Sequence, residues 1–199
     1  MAYSRIRLTI FIPNPSSNGN CMNIGDTPKS LRPLVSQLEQ LTGRASIEQV
    51  RSWLENTDAT LRDLQTFVRY DENHYRRNLV CAGEWYEILV ICWLSGQRSP
   101  IHDHAHSTCG IRVMCGTCTE TVFGHAPCGQ VVARFSKDIA AGSVTASQDS
   151  DTHQVSNLQE ARDNLVTIHV YSPPLRAMKT FSIIGESDQE SKPAVTHGF

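Results

Sequence analysis

The sequence lacks an excess of charge of either sign. Its 18 Lys and Arg stand against 20 Asp and Glu, a formal net charge of −2, so nothing marks it as an electrostatic nucleic-acid binder. It also has no apolar run of the roughly 18 residues that a membrane span needs. The stretch Ile6–Pro13 is too short and too broken by charge for a secretory signal, and the chain is expected in the cytoplasm. Internal repeats and low-complexity segments are missing. So is a second Cys-x-x-Cys. Cys115-Gly-Thr-Cys118 has the spacing of zinc and redox sites, but no second pair follows at zinc-finger distance. It also lies in a strand pattern rather than opening a helix, and reads as two cysteines at a strand–turn–strand. The seven cysteines (21, 81, 92, 109, 115, 118 and 128) are an odd set. In a reducing compartment most are expected as free thiols, several buried as small hydrophobes.

What is present fills one domain. A length of 199 residues suits a single core with a small helical appendage. Ile6, Leu8, Ile10 and Ile12 alternate as a strand does, and Asn14 to Asp26 reads as a loop. Three helical patterns follow. Thr27-Pro28 opens a stripe of Leu31, Leu34, Val35, Leu38 and Leu41 that stops at Gly43. Ser46 with Gln49 forms a capping box ahead of Ile47, Val50, Trp53 and Leu54. Leu61, Leu64, Phe67 and Val68 mark a third short helix. From Glu87 the pattern changes to strands: 87–94, buried on both sides, then 109–115, 118–123, 130–136, 143–147, 165–171 and 179–184, punctuated by glycine. Many short strands with regular turns indicate a β-sandwich or barrel. The expected division is an N-terminal strand and helices over 1–70, the barrel over 71–185 and a solvated tail over 186–199.

The chemistry gathers at Ser99-Pro-Ile-His-Asp-His-Ala-His-Ser-Thr-Cys-Gly110. His102 and His104, one residue apart, fall on the same face of an extended strand. There they are either two ordinary histidines or a shared pair of metal ligands. Gly96 precedes His102 by six positions, Cys109 follows His104 by five, and Gly116 follows Cys109 by seven. This pattern resembles the first motif of the cupin superfamily, with Cys109 in place of its usual glutamate ligand. Gly142 and His153-Gln-Val-Ser-Asn157 resemble the second cupin motif, without its usual proline.

Cysteine in place of that carboxylate is similar to the cysteine dioxygenase (type I) family, thiol dioxygenases within the cupins. Three further stretches carry the resemblance: Tyr70-Asp with Tyr75-Arg-Arg-Asn-Leu-Val80, His153 with Asn157, and Thr167-Ile-His-Val-Tyr-Ser-Pro-Pro174, where threonine stands for the family's serine. The resemblance covers roughly residues 65–185. It implies a mainly β fold, a jelly-roll-like cupin-type β-barrel with an N-terminal segment of about three short helices. It implies Fe(2+) on His102, His104 and His153. It also implies a carboxylate grip by Arg77 with Tyr75 beside it, Arg76 being the neighbour that a one-residue shift would substitute. Tyr171, His169 and Thr167 share a strand face, and by resemblance form a polar chain that holds the Tyr171 hydroxyl toward the iron. Cys109 and Tyr171 would join through a thioether, and Ser172-Pro173 would be a cis peptide. Trp93 reads as a packing residue, and His106 as an outlying or exposed one.

The implied reaction is oxidation of L-cysteine by O2 to cysteine sulfinate. The alternatives are another small thiol carboxylate, 3-mercaptopropionate, or a non-catalytic cupin metal-binding module. No nucleic-acid or membrane partner is expected, and the chain is expected to act as a monomer.

Overall fold

A computed structural model describes residues 27–127, 130–149, 151–183 and the strand backbone at 189–191. The expected strand over 6–12, the loop over 14–26 and most of the tail lie outside the described residues, as do Cys21 and Cys128.

The helical segment begins at Pro28 with a 3-10 turn, Lys29–Leu31, that runs into α1 (Arg32–Leu38) with Pro33 in its first turn, where a missing N–H costs nothing. α2 (Ile47–Glu55) starts on the capping box: Gln49 N donates to Ser46 Oγ at 3.2 Å, and Ser46 N donates to Gln49 Oε1 at 2.9 Å. The third pattern does not make an α-helix. It is a turn followed by one 3-10 turn, Gln65–Phe67. Asp63 Oδ2 accepts from Thr60 N at 2.9 Å and from Thr60 Oγ1 at 2.8 Å. Such local bonds offer the backbone a turn in place of a helix, and so short a stripe cannot repay helix nucleation.

The strands form two antiparallel sheets. In chain order they are β1 (Arg76–Ala82), β2 (Glu87–Trp93), β3 (Ile101–His102), β4 (Thr108–Cys115), β5 (Thr117–His125), β6 (Val131–Ala140), β7 (Val144–Gln148), β8 (His153–Ser156), β9 (Leu165–Ser172), β10 (Met178–Phe181) and β11 (Gln189–Ser191). One sheet has the order β1-β2-β9-β4-β7, the other β11-β10-β3-β8-β5-β6. β2 and β9 are buried along their whole length because each is covered on both faces. Ile88, Val90 and Cys92 face the helices with Leu34, Val50 and Leu54; Leu89, Ile91 and Trp93 face the space between the sheets with Ile111 and Val113. At Gly110 a Cβ would meet Val50 Cγ1 and would lie 2.6 Å from Leu54 Cδ1, so α2 rests directly on the β4 backbone.

β1, β3 and β8 carry no clear strand pattern in the sequence. Polar Arg76, Arg77 and Asn78 interrupt the first, and the other two are too short for a period to register. The described cysteines are free. Cys115 packs toward the helices and Cys118 between the sheets, on either side of a turn at Gly116 with φ 80°, so the Cys-x-x-Cys is a strand–turn–strand and not a joint site. Among the described residues no helix is long and apolar enough to cross a membrane.

Candidate metal centre and active site

His102 closes β3, and His153 opens β8 directly opposite it in the antiparallel ladder. His104 lies beyond the end of β3, in a turn where Ala105 takes φ 50°. The His102–His104 pair is therefore assembled by a turn, not by the strand alternation that its spacing suggests. One ring nitrogen from each of the three histidines falls within 4.8 Å of the others, and His104 Nε2 stands 3.1 Å from His153 Nε2.

The other nitrogen of each ring is engaged. Nδ1 of His102 donates to Pro100 O at 3.0 Å, Nδ1 of His153 donates to Glu120 Oε1 at 2.7 Å, and Ser147 Oγ lies 3.3 Å from Nδ1 of His104. A carbonyl and a carboxylate can only accept, so Nδ1 is the protonated nitrogen of His102 and His153 and Nε2 is the atom each can offer to a metal. Burial, together with His153, pushes His102 down to about 3 and His104 well below its ordinary value. The result is three buried imidazoles whose free nitrogens converge, a donor set that fits a divalent transition metal with positions left open. Glu120 was not foreseen. Burial would raise its carboxyl, but His153 and Lys137, whose Nζ is 2.8 Å from Oε2, hold it at about 2. The sequence signal was a lone acid inside an otherwise uncharged strand, Thr117–His125.

On the facing wall, β9 alternation sets Thr167, His169 and Tyr171 on one side. Trp93 Nε1 donates to Thr167 Oγ1 at 3.1 Å, Thr167 Oγ1 lies 2.9 Å from His169 Nε2, and His169 Nδ1 lies 3.2 Å from the Tyr171 hydroxyl. Trp93 thus does more than pack: it anchors the far end of this chain. Burial drives the Tyr171 phenol well above its ordinary value, so it keeps its proton at neutral pH. Cys109 on β4 pairs with Tyr171 on β9, and burial likewise raises its thiol. The Ser172-Pro173 peptide is cis.

β1 separates the two adjacent arginines. Arg77 pairs with Ile91 and lines the pocket with Tyr75, whereas Arg76 pairs with Cys92, which faces the helices. Tyr75 stacks on Trp93 with centroids 4.4 Å apart, and the Arg77 guanidinium sits 5.4 Å from the centre of the Tyr171 ring. Burial works against the Arg77 charge, but Tyr171 and the nearby Glu87 carboxylate outweigh it and raise its pKa. His106 is exposed in the turn after His104. Arg77, Tyr75, Trp93, Tyr171 and the three histidines line one pocket.

Residues 22–183 match the family model described as cysteine dioxygenase type I. The chain belongs to the cysteine dioxygenase type I family. Relatives named cysteine dioxygenase type 1 include that of Danio rerio, 28% identical over 166 residues, covering 77% of this chain and 80% of the relative. That of Homo sapiens is 27% identical over 160 residues, with the same coverage. Among solved structures, an uncharacterized Klebsiella pneumoniae protein with a double-stranded beta-helix domain matches with a TM-score of 0.50 at 15% identity, covering 59% of this chain and 88% of that one. The fold is accordingly the mainly β, cupin-type barrel of a cysteine dioxygenase, preceded by short helices.

Proposed function

We propose that the protein is an iron(II)-dependent dioxygenase that adds both atoms of O2 to the thiol sulfur of L-cysteine, giving cysteine sulfinate. The observation that carries this reading is the convergence of three buried histidines beside Arg77 in one pocket of a cysteine dioxygenase family chain. His102, His104 and His153 would hold the iron, and their lack of charge leaves it cationic enough to attract a thiolate. Iron(II) bound there would supply O2 activation and an anchor for the sulfur.

This chain's own residues would do the rest. Arg77 offers a planar fork to the substrate carboxylate, able to bond both oxygens. Tyr75, stacked on Trp93, presents its hydroxyl beside that carboxylate. The Tyr171 hydroxyl, held by His169, Thr167 and Trp93 in series, donates a hydrogen bond toward the reacting sulfur and oxygen. Ile91, Ile111, Val155 and Met178 supply the apolar part of the wall and keep water from competing.

Arg77 favours a carboxylate-bearing thiol over cysteamine, and it would serve 3-mercaptopropionate as well, which makes that compound the second reading. A metal-binding module without catalysis has no use for the chain from Trp93 to Tyr171. Oxygen uptake by the Fe(II)-loaded protein, compared for cysteine, 3-mercaptopropionate and cysteamine with mass detection of the sulfinate, tests the reading. Uptake is expected to be fastest with cysteine. Faster turnover of 3-mercaptopropionate would move the substrate, and no uptake with any thiol would overturn the proposal.

A further inference from the structure

Glu87 is the lone charged residue of β2, which continues as Ile-Leu-Val-Ile-Cys-Trp93 and is buried throughout. Its exposure is 7%. A carboxylate is not kept in such a place without partners. Glu87 Oε1 accepts from Leu175 N at 3.0 Å, just past the cis-proline turn, and lies 3.8 Å from Arg77 Nη2. In the ladder Glu87 pairs with Tyr171, the ring over which the Arg77 guanidinium sits. Arg77 and Tyr171 line the pocket, and Glu87 with Leu175 stands behind them, touching Arg77 from the buried side. At 3.8 Å the carboxylate and guanidinium attract as charges and do not form a short two-bond fork.

We infer that Glu87 is a positioning residue that sets substrate specificity: an internal carboxylate that holds Arg77 in the pocket wall and competes with the substrate's carboxylate for it. The inference rests on the reading of Arg77 as the carboxylate grip. Burial raises the Glu87 carboxyl, and Arg77 and the Leu175 N–H oppose it; in its ionised form Glu87 makes a pair with Arg77 that carries no net charge. An arriving anion gains the attraction of the guanidinium and meets the repulsion of Glu87, both strengthened by burial. Removing the Glu87 charge should then help ligands in the order of their negative charge. 3-Mercaptopropionate, a pure anion at its carboxylate end, gains most. Zwitterionic cysteine gains less, and cationic cysteamine gains nothing or loses. Glu87 thus biases the pocket toward an amino-acid thiol and against a simple thiol acid.

The test is anaerobic calorimetric binding of the three thiols to the Fe(II)-loaded wild type, Glu87→Gln, Arg77→Ala and the double variant. Gln keeps an oxygen for Leu175 N, so the charge alone is removed. We expect the affinity of E87Q for 3-mercaptopropionate to rise about fivefold or more relative to that for cysteamine, within the usual range of coupling between sites, with cysteine between the two. In the Arg77→Ala background the competition for the guanidinium is gone and only the direct repulsion of Glu87 is left, so the graded difference should shrink. An equal shift for all three thiols, no shift, or a graded shift of the same size without Arg77 would overturn the inference. If E87Q does not fold, Glu87→Asp, which draws the carboxylate back from Arg77, is expected to show the same order with smaller gains. Oxygen uptake by the wild type judges the dioxygenase reading separately, because the binding comparison needs no turnover.

Discussion

Cys109 and Tyr171 stand directly opposite each other across the β4–β9 ladder, with Glu87 opposite Tyr171 on its other side. Opposed side chains on one face of an antiparallel pair lie close enough to touch. Both are buried, Cys109 at 1% exposure and Tyr171 at 2%, so neither has solvent as an alternative partner.

This pairing makes a thioether between the Cys109 sulfur and the Tyr171 ring the expected product of incubation with Fe(II), cysteine and O2. One S–H and one ring C–H are lost, and O2 is the oxidant. Peptide mass spectrometry should find the linked pair lighter by two hydrogen atoms. A free Cys109 thiol after many turnovers would count against it.

Arg77→Ala should raise the KM for cysteine by about tenfold or more, the range expected when a charge-assisted hydrogen bond of about 1.5–3 kcal/mol is lost. Arg76→Ala should change it little, since Arg76 shares the register position of Cys92 on the helix side. Steady-state oxygen uptake separates the two. Equal effects would mean that the carboxylate grip is not at Arg77.

Glu120→Gln should weaken metal binding by about 10–100-fold, the usual cost of losing an outer partner of a ligating histidine. The bond at stake is the 2.7 Å contact between Glu120 Oε1 and His153 Nδ1. Competition with a chromogenic chelator measures it without reference to turnover. An unchanged metal affinity would show that another group can orient His153.

Gly110→Ala should destabilise the fold by about 1–3 kcal/mol, as overpacking of a dense core does. The new methyl would press on Val50 and Leu54 of α2, and a β-branched valine has little freedom to turn away. Thermal unfolding followed by circular dichroism should show a lower Tm. An unchanged Tm would mean that α2 can slide on the sheet.

The site's donors are legible in the chain because their chemistry is local. His102, His104 and Cys109 fall in one short motif, and strand alternation along β9 puts Thr167, His169 and Tyr171 on a common face. The capping box at Ser46 and Gln49 is equally local, and the structure forms it as the residue types require.

Other features depend on register and on what covers each face. His102 and His104 converge through a turn after β3, which a two-residue strand cannot announce. Whether Arg76 or Arg77 enters the pocket is decided by which of them pairs with Ile91. Shifting a strand by one residue exchanges its two faces. Glu87 and Glu120 take their partners from strands and loops far along the chain, at Arg77, Leu175, Lys137 and His153. The sequence by itself determined which atoms are available to hold a metal and where the barrel's motifs lie. Only the tertiary structure decided which buried charges stand beside them, because a charge in a strand is tolerated inside only where a distant residue arrives to compensate it.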